Sequence, residues 1–309
     1  MSNPSVDVTI VVIAYNSEGR IGDAVRAHQA AFAHRTGEVI VVDNASADAG
    51  ADEARAALTH GRVIRNETNL GYGKAANQGI AAAAGRYCVI MNDDARLGPE
   101  DLDRLIETLE ADESIGLVGP RIVGEDGHPM PSARHVFPGP DEEFSRLGDV
   151  VRRTNRNHWY PTTGDDPADV AWLVGACIMG RTDLLRRVGG FNPAFFLYVE
   201  DIDLAKRLRV LGHRIVTVPL ATCVHTGSVS TSQAFADRAR MERRADARAL
   251  FYRIWYPRPT RMAVHLKRAI GVGNQPWRLR HHLPKAVWDG PGAAEHRFPP
   301  PITPDRGSA

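Results

Sequence analysis

The sequence predicts an α/β protein with a mostly parallel central sheet, helices on both faces, and a helical extension at its C-terminal end. Three observations predict it. Short β-branched runs alternate with helical periodicity over about 115 residues at the start of the chain. The longest runs, over 8–14 and 87–91, are apolar almost throughout, as strands covered on both faces are. Each then stops abruptly in a polar cluster, and in open α/β sheets ligands sit outside such strand ends.

Residues 8–14 (Val-Thr-Ile-Val-Val-Ile-Ala) read as the first strand and break into Tyr15-Asn16-Ser17-Glu18-Gly19. A helix follows, with Ile21, Ala24, Val25 and His28 at helical spacing. Residues 38–42 form a second strand that ends in Asp43-Asn44-Ala45-Ser46, and a helix over 52–59 leads to a short strand over 62–65. After a polar loop come an Ala-rich helix over 74–84 and the strand Tyr87-Cys88-Val89-Ile90-Met91, which stops at Asn92-Asp93-Asp94. Pro99 suits the first turn of the helix over 99–111, and Glu100 and Asp101 complement its dipole.

Prolines 129, 131, 138, 140, 161 and 167 punctuate residues 124–169, which read as a long mobile segment over the sheet. Strands resume at 170–173 and 176–179, and a short helix over 182–188 ends at Gly189-Gly190. Glu200-Asp201-Ile202-Asp203 opens a helix with Leu204, Leu208 and Leu211 on one face. Strands at 214–218 and 221–224 follow, the second running into His225. Residues 235–270 read as amphipathic helix in which arginines interleave with Leu250, Phe251, Ile254 and Trp255. The proline-rich end is expected to be disordered. The expected division is one domain over 1–232, in two halves that meet near residue 120, a basic extension over 233–285, and a tail over 286–309.

Composition excludes several classes. With 43% hydrophobic residues, 24% charged and a net charge of +1, no global field points to nucleic acid. Cys88, Cys177 and Cys223 lie in apolar runs without CxxC spacing and read as buried free thiols of a reducing compartment. No basic leader precedes the first strand and no apolar run reaches ~18 residues, so the expected location is cytoplasmic. The arginines after residue 235 are either a solvated helical face or a surface that docks peripherally on anionic lipid headgroups.

The polar clusters carry the chemistry. Two adjacent carboxylates closing a buried strand repel each other and resist desolvation, and a hard divalent cation such as Mg²⁺ or Mn²⁺ relieves both costs. Asn92-Asp93-Asp94 is therefore either a metal-and-phosphate site or a polar turn before Leu97-Gly98-Pro99. Asp43 either accepts a hydrogen bond from a nucleoside or caps a turn. Gly71-x-Gly73-x-x-Ala76, with Asp93 twenty residues beyond Gly73, matches a dinucleotide fingerprint but does not follow a strand directly. It reads better as a loop-to-helix turn whose backbone approaches a nucleotide, with Lys74 near phosphate; a plain glycine turn is the alternative. Asp201 is either a general base in a cleft or a helix-capping carboxylate, and His225 either a metal ligand or structural.

In order and spacing these segments resemble the family 2 glycosyltransferases. The matching residues are Ala14-Tyr15-Asn16, Val41-Val42-Asp43-Asn44-Ala45-Ser46-x-Asp48, Asn69-Leu70-Gly71-Tyr72-Gly73-x-Ala75-x-Asn77 and Met91-Asn92-Asp93-Asp94. The match continues through Gly175-Ala176, Gly189-Gly190-Phe191-Asn192, Phe195-Phe196-Leu197-Tyr198-x-Glu200-Asp201-x-Asp203-Leu204 and His225. The pattern looks closest to bacterial rhamnosyltransferase-like members.

The resemblance implies a Rossmann-like GT-A fold and an inverting, metal-assisted transfer. The sugar, rhamnose among the candidates, would pass from a dTDP- or UDP-linked donor to a hydroxyl of a glycan or lipid-linked cell-envelope acceptor. It implies that Tyr15 and Asp43 contact the base, and that Ala14, Asn16, Asn69, Gly71, Lys74 and Asn77 belong to the nucleotide-sugar site. Asp93 would face ribose or diphosphate, Asp94 and His225 would hold the metal, Asp201 would be the base, and Trp172 and Glu200 would face the acceptor. The first position of the metal motif is Asn92 where the family pattern has aspartate, so Asn92 is expected behind the direct ligands. A single candidate base suits direct displacement with inversion. Two other readings stay open at this point: a nicotinamide-dependent oxidoreductase, resting on the Gly71–Ala76 pattern, and a non-catalytic nucleotide-sugar-binding protein.

Overall fold

The computed structural model describes residues 6–139, 164–226, 237–270 and 296–305. Its centre is a nine-stranded sheet in the order β3-β2-β1-β4-β10-β6-β11-β5, with β8 pairing β11. The strands are β1 (Val8–Ala14), β2 (Gly37–Asp43), β3 (Gly61–Arg65), β4 (Tyr87–Asn92), β5 (Ala95–Leu97), β6 (Ile115–Val123), β8 (Ala168–Asp169), β10 (Cys177–Arg181) and β11 (Arg214–His225). β7 (Ala133–Arg134) and β9 (Trp172–Leu173) form a separate two-stranded ladder. The helices are α1 (Ile21–Ala30), α2 (Gly50–Ala57), α3 (Tyr72–Ala82), α4 (Pro99–Ala111), α5 (Thr182–Arg187), α6 (Glu200–Val210), α7 (Asp237–Trp255) and α8 (Arg258–Ile270).

The expected α/β fold is present, with β1, β2, β3 and β4 parallel. The period-2 alternation of strand side chains explains why β1 is apolar throughout. Val8, Ile10, Val12 and Ala14 face one layer with Ile21, Val25, Leu102 and Leu105, whereas Val11 and Ile13 face the other with Ala76, Ile80, Leu204 and Phe251. Helices α1, α2 and α4 therefore cover one face, and α3, α5, α6 and α7 the other. The C-terminal helix α7 is part of this core: Ala247, Phe251, Ile254 and Trp255 are buried within it.

The structure corrects several details. β10 runs antiparallel between β4 and β6, so the sheet is mixed at its centre. The two strands read at 214–218 and 221–224 are one strand whose register shifts between Val218 and Thr222, around Pro219 and exposed Leu220. Proline lacks the N–H a ladder needs, which accounts for the irregularity. Leu211 is half exposed, and the buried place on α6 belongs instead to Arg207. Residues 140–163, the bulk of the segment expected to be mobile, lie outside the described residues.

Residues 296–305, within the tail expected to be disordered, pack on the helix layer. The Ile302 N–H donates to the Arg186 carbonyl and the Asp305 N–H to the Ala81 carbonyl, both at 2.9 Å. Phe298 meets Trp255 edge-on with ring centroids 6.3 Å apart. This close approach needs Gly189 and Gly190, where an added Cβ would stand 2.6 Å from the Pro300 oxygen and from Ile302 Cδ1 respectively. Both glycines also hold positive φ, 78° and 55°.

Arg207 and Asp203, four residues apart on α6, form a fully buried ion pair at 2.9 Å. The other guanidinium nitrogens donate to the carbonyls of Val188 (2.6 Å) and Gly190 (2.5 Å), and the remaining Asp203 oxygen accepts from Trp255 Nε1 at 2.8 Å. Every charge in the set is satisfied, which makes the pair tolerable at this depth. Removing one partner strands the other. Arg207→Met is therefore expected to lower unfolding stability by ~3–5 kcal/mol in denaturant melts, and an unchanged midpoint would contradict the clamp.

Candidate active site

The C-terminal ends of β1 and β4, the end of β11 and the N-terminus of α6 surround a cavity of about 470 Å³. Tyr15, Asn69, Gly71, Asp93, Asp94, Trp172, Glu200, Asp201 and His225 all line it, as does Asn92. Ala14, Asn16, Asp43, Lys74 and Asn77 do not.

The first wall is stapled by asparagines. The Asn44 N–H donates to the Ala14 carbonyl at 2.8 Å, tying the ends of β1 and β2. Asn44 Oδ1 accepts from the Leu70 N–H at 3.0 Å, and its Nδ2 donates to Asn69 Oδ1 at 2.9 Å, which fixes the loop before α3. Asn16 Oδ1 accepts from the Ala47 N–H at 3.0 Å, so Asn16 holds the β2 turn from behind the wall. Asp43 is buried, bonded to Ser46 and 3.3 Å from Arg65 Nε, and borders a second hollow lined by Ala45, Ser46, Arg65, Asn66 and Glu67.

Gly71 is needed for a chain crossing. At φ 85° its added Cβ would stand 2.2 Å from the Phe196 carbonyl oxygen, to which the Tyr72 N–H donates at 2.8 Å. The glycine pattern thus brings α3 against the loop before α6. Asn77 has a similar role, donating to the Phe191 carbonyl at 2.7 Å and accepting from its N–H at 2.8 Å. Lys74 is exposed outside the cavity.

Asp93 and Asp94 have different surroundings. Asp93 Oδ2 accepts from the Ser17 hydroxyl and, at 2.9 Å, from Arg20 Nη2. Burial pushes its carboxyl up, and Ser17 and Arg20 pull it back down. Asp94 Oδ1 lies 3.1 Å from His225 Nε2. The antiparallel pairing of Ala95 with His225 makes this meeting across 131 residues. Asn92 Nδ2 also lies 3.3 Å from His225 Nε2.

Another part of the lining is the start of α6. Asp201 Oδ2 accepts from the Gly175 N–H at 3.0 Å and Oδ1 from the Ile202 N–H at 2.8 Å. Burial raises its affinity for a proton, while these backbone donors and Arg244 oppose that. Glu200 is pushed up to about 8, first by burial and then by Asp201. Its Oε2 is buried and, among the described residues, has no hydrogen-bond partner. Tyr72 Oη donates to the Gly175 carbonyl at 2.8 Å, joining this wall to the first. Trp172 Nε1 donates to the Val136 carbonyl at 3.1 Å, and the residue belongs to the cavity lining.

Sequence reasoning gave no role to Ser17, Arg20, Tyr72, Arg134, Tyr198, Arg244 or Arg248. Tyr72 lies inside a quoted motif, and Ser17 and Arg20 sit one turn apart beside Asn16, so those signals were present. Arg244 and Arg248 were read only as part of a basic stretch; the structure sets both in the cavity lining.

Could these residues hold a divalent cation? Among the described residues no group of three or more His, Cys, Asp or Glu side chains forms a ready cage. Asp94 and His225 nonetheless present a carboxylate oxygen and an imidazole nitrogen side by side at the cavity. Two protein donors fit Mg²⁺-like sites, which take their other ligands from phosphates and water.

Comparison with known proteins agrees with the geometry. The chain is 31% identical over 244 residues to N-acetylglucosaminyl-diphospho-decaprenol L-rhamnosyltransferase of Mycobacterium tuberculosis, covering 74% of this chain and 78% of that protein. Its fold is shared with a mannosyltransferase from Pyrobaculum calidifontis solved with GDP-Man and Mn²⁺ (TM-score 0.54, 22% identity, 90% of this chain and 76% of that one). It is also shared with GalNAc-T7 solved with UDP, GalNAc and Mn²⁺ (TM-score 0.58, 13% identity, 97% of this chain), of which this chain spans little more than half, 56%. These neighbours are GT-A glycosyltransferases. The profile of glycosyl transferase family 2 matches residues 9–189, and the chain belongs to that family.

Proposed function

We propose that the enzyme transfers a deoxyhexose, rhamnose in the first instance, from a dTDP- or UDP-linked donor to a hydroxyl of a glycan or lipid-linked acceptor, with inversion at the anomeric carbon. The observation that carries this reading is Asp201: a carboxylate held by two backbone N–H groups in the lining of the same cavity as Asp93, Asp94 and His225. The similarity to the mycobacterial rhamnosyltransferase supports the choice of sugar.

In this reading Asp201 takes the proton of the acceptor hydroxyl as that oxygen attacks the anomeric carbon. Fixing by Gly175 and Ile202 keeps the carboxylate oriented and opposes the effect of burial on its charge. Glu200 keeps its proton at neutral pH and offers a hydrogen bond to an acceptor oxygen through its unpartnered Oε2. Trp172 supplies an apolar face for a sugar ring. On the other wall Tyr15 and the Asn69–Gly71 loop bound the nucleoside. Asp93, locked by Ser17 and Arg20, faces ribose, and Asp43 contributes through the adjoining hollow. Asp94 and His225 would hold Mg²⁺ or Mn²⁺, which when bound offsets negative charge on the departing diphosphate. Among the described residues no helix is long and apolar enough to cross a membrane. Exposed Arg258 and Met262 on α8 support peripheral docking on an anionic cytoplasmic leaflet.

Three outcomes are expected. Asp201→Asn should lower transfer ~10²–10⁴-fold while leaving nucleotide affinity intact by calorimetry; wild-type turnover would remove Asp201 from its role. Asp94→Ala, or EDTA with the wild type, should abolish metal-dependent tightening of UDP or dTDP binding, and unchanged binding would count against the cation. Glu200 binds its proton up to about pH 8 when folded but only to about 4.5 when unfolded, so stability should fall as pH rises through that window. Glu200→Gln should flatten the slope in pH-dependent denaturant melts, and an identical slope would contradict the buried, protonated carboxyl.

A further inference from the structure

Half-buried Lys206 lies on α6, five residues after Asp201, and ends in a cage of aromatic rings. Its Nζ stands 4.6 Å from the ring centre of Tyr256, 4.9 Å from that of Phe137, 5.4 Å from that of Trp255 and 5.5 Å from that of Phe251. The rings come from two places. Phe251, Trp255 and Tyr256 belong to the last turn of α7 and the residue after it, and Phe137 to the segment that follows β7. An ammonium is attracted to the negative face of each ring, most strongly where water is partly excluded. Nζ also donates to Tyr256 Oη at 2.9 Å, and that hydroxyl donates to the Pro138 carbonyl at 2.9 Å. Each bond in such a chain polarises the next.

Packing alone does not call for a lysine here. Phe251 and Trp255 are core residues, and a methionine would fill the space beside them without taking an ammonium partly out of water. What methionine lacks is the pull on four ring faces and the donor for Tyr256. Three consecutive residues show what the cation holds. The Val136 carbonyl accepts from Trp172 Nε1 at 3.1 Å, the Phe137 ring lies on Lys206, and the Pro138 carbonyl accepts from Tyr256. Gly139 closes the run against Tyr256, where an added Cβ would stand 2.2 Å from Oη. Arg134, Pro138 and Trp172 belong to the same cavity lining as Asp201. The segment is thereby referenced to α6, the helix that carries Asp201.

We propose that Lys206 is a positioning residue for the acceptor: its caged ammonium fixes residues 134–138 against α6 and so holds Pro138 and Trp172 in register with Asp201. This rests on the glycosyl-transfer reading, in which Trp172 faces the acceptor and Asp201 takes the acceptor's proton, and adds the residue that sets their relation. Lys206 is not part of the cavity lining, so it acts through Phe137 and Tyr256.

Two measurements on the full chain test it. Hydrogen exchange over residues 135–139 reads the segment directly, and steady-state kinetics with dTDP-rhamnose and an undecyl N-acetylglucosaminide separate acceptor from donor. Lys206→Met should speed exchange there by about tenfold. It should raise the acceptor KM by about fivefold or more, with donor KM and UDP or dTDP affinity within about twofold of the wild type. Tyr256→Phe keeps the ring and loses the bond to Pro138, so it should give a smaller change in the same direction; it carries the test if Lys206→Met does not fold. Lys206→Cys should match Lys206→Met, and aminoethylation should restore both readouts by rebuilding an ammonium of nearly the same reach. Cys88, Cys177 and Cys223 are buried from the reagent. A purely structural lysine would lower donor and acceptor use together. That result, unchanged exchange over 135–139, or failure of aminoethylation to restore it would overturn the proposal. A wild type that transfers no sugar would instead count against the glycosyl-transfer reading, with exchange and its restoration still judging the cage.

Discussion

The buried Asp203–Arg207 pair is the constraint on which the site depends. A guanidinium at zero exposure must have all its donors used, and here they reach the ion-pair partner and the carbonyls of Val188 and Gly190. Through Asp203 the same network takes hold of Trp255. Two separate segments, the turn over 188–190 and α7, are thereby referenced to one turn of α6, and the residues two and three places before Asp203 are Asp201 and Glu200. Residues 296–305 extend the arrangement, because Gly189 and Gly190 admit them while Gly190 also receives Arg207. Alternative apolar packing could stabilise α6 equally well, but it would not fix its rotation and height against both segments at once.

Strain is concentrated where that clamp and the strand ends can hold it. Asn16, Ala45, Tyr198 and Val199 are the described non-glycine residues with positive φ, between 50° and 73°. Each costs ~1–3 kcal/mol and persists because its surroundings over-determine it. Asn16 and Ala45 turn the chain out of β1 and β2 around the asparagine staples. Tyr198 and Val199 turn it into α6, so that Glu200 and Asp201 enter the cavity from the helix start. The chain crossing at Gly71 then locks the loop carrying Phe196 to the start of α3.

Much of this was legible in the sequence. The strand ends announce themselves where an apolar run halts at Asn92-Asp93-Asp94 or Asp43-Asn44, and a parallel arrangement gathers such ends. Other parts were hidden for physical reasons. The antiparallel insertion of β10 leaves no local mark, since a strand buried on both faces has the same composition in either direction. Arg207 looks like one more surface charge, because only tertiary structure supplies the carbonyls that let it be buried. The prolines of the tail argue for disorder when read locally, yet an extended proline-rich strand needs few hydrogen bonds of its own and fits beside a Gly-Gly turn. Asn77 and the Gly71–Ala76 pattern suggested ligand contact; the structure gives Asn77 and Gly71 contacts with the Phe191–Phe196 segment and keeps Gly71 in the cavity lining. Arg244 and Arg248 were invisible as site residues because a basic helix carries no sign of which side faces a cavity.

The stereochemistry of transfer tests the central claim most directly. With a nucleotide-diphosphate sugar as donor, proton NMR of the product against the donor reads the anomeric configuration before any secondary exchange. The proposed single base, Asp201 in the same cavity lining as Asp93, Asp94 and His225, predicts inversion. Retention of configuration would mean that the acceptor oxygen does not displace the diphosphate in one in-line step, and would contradict the account.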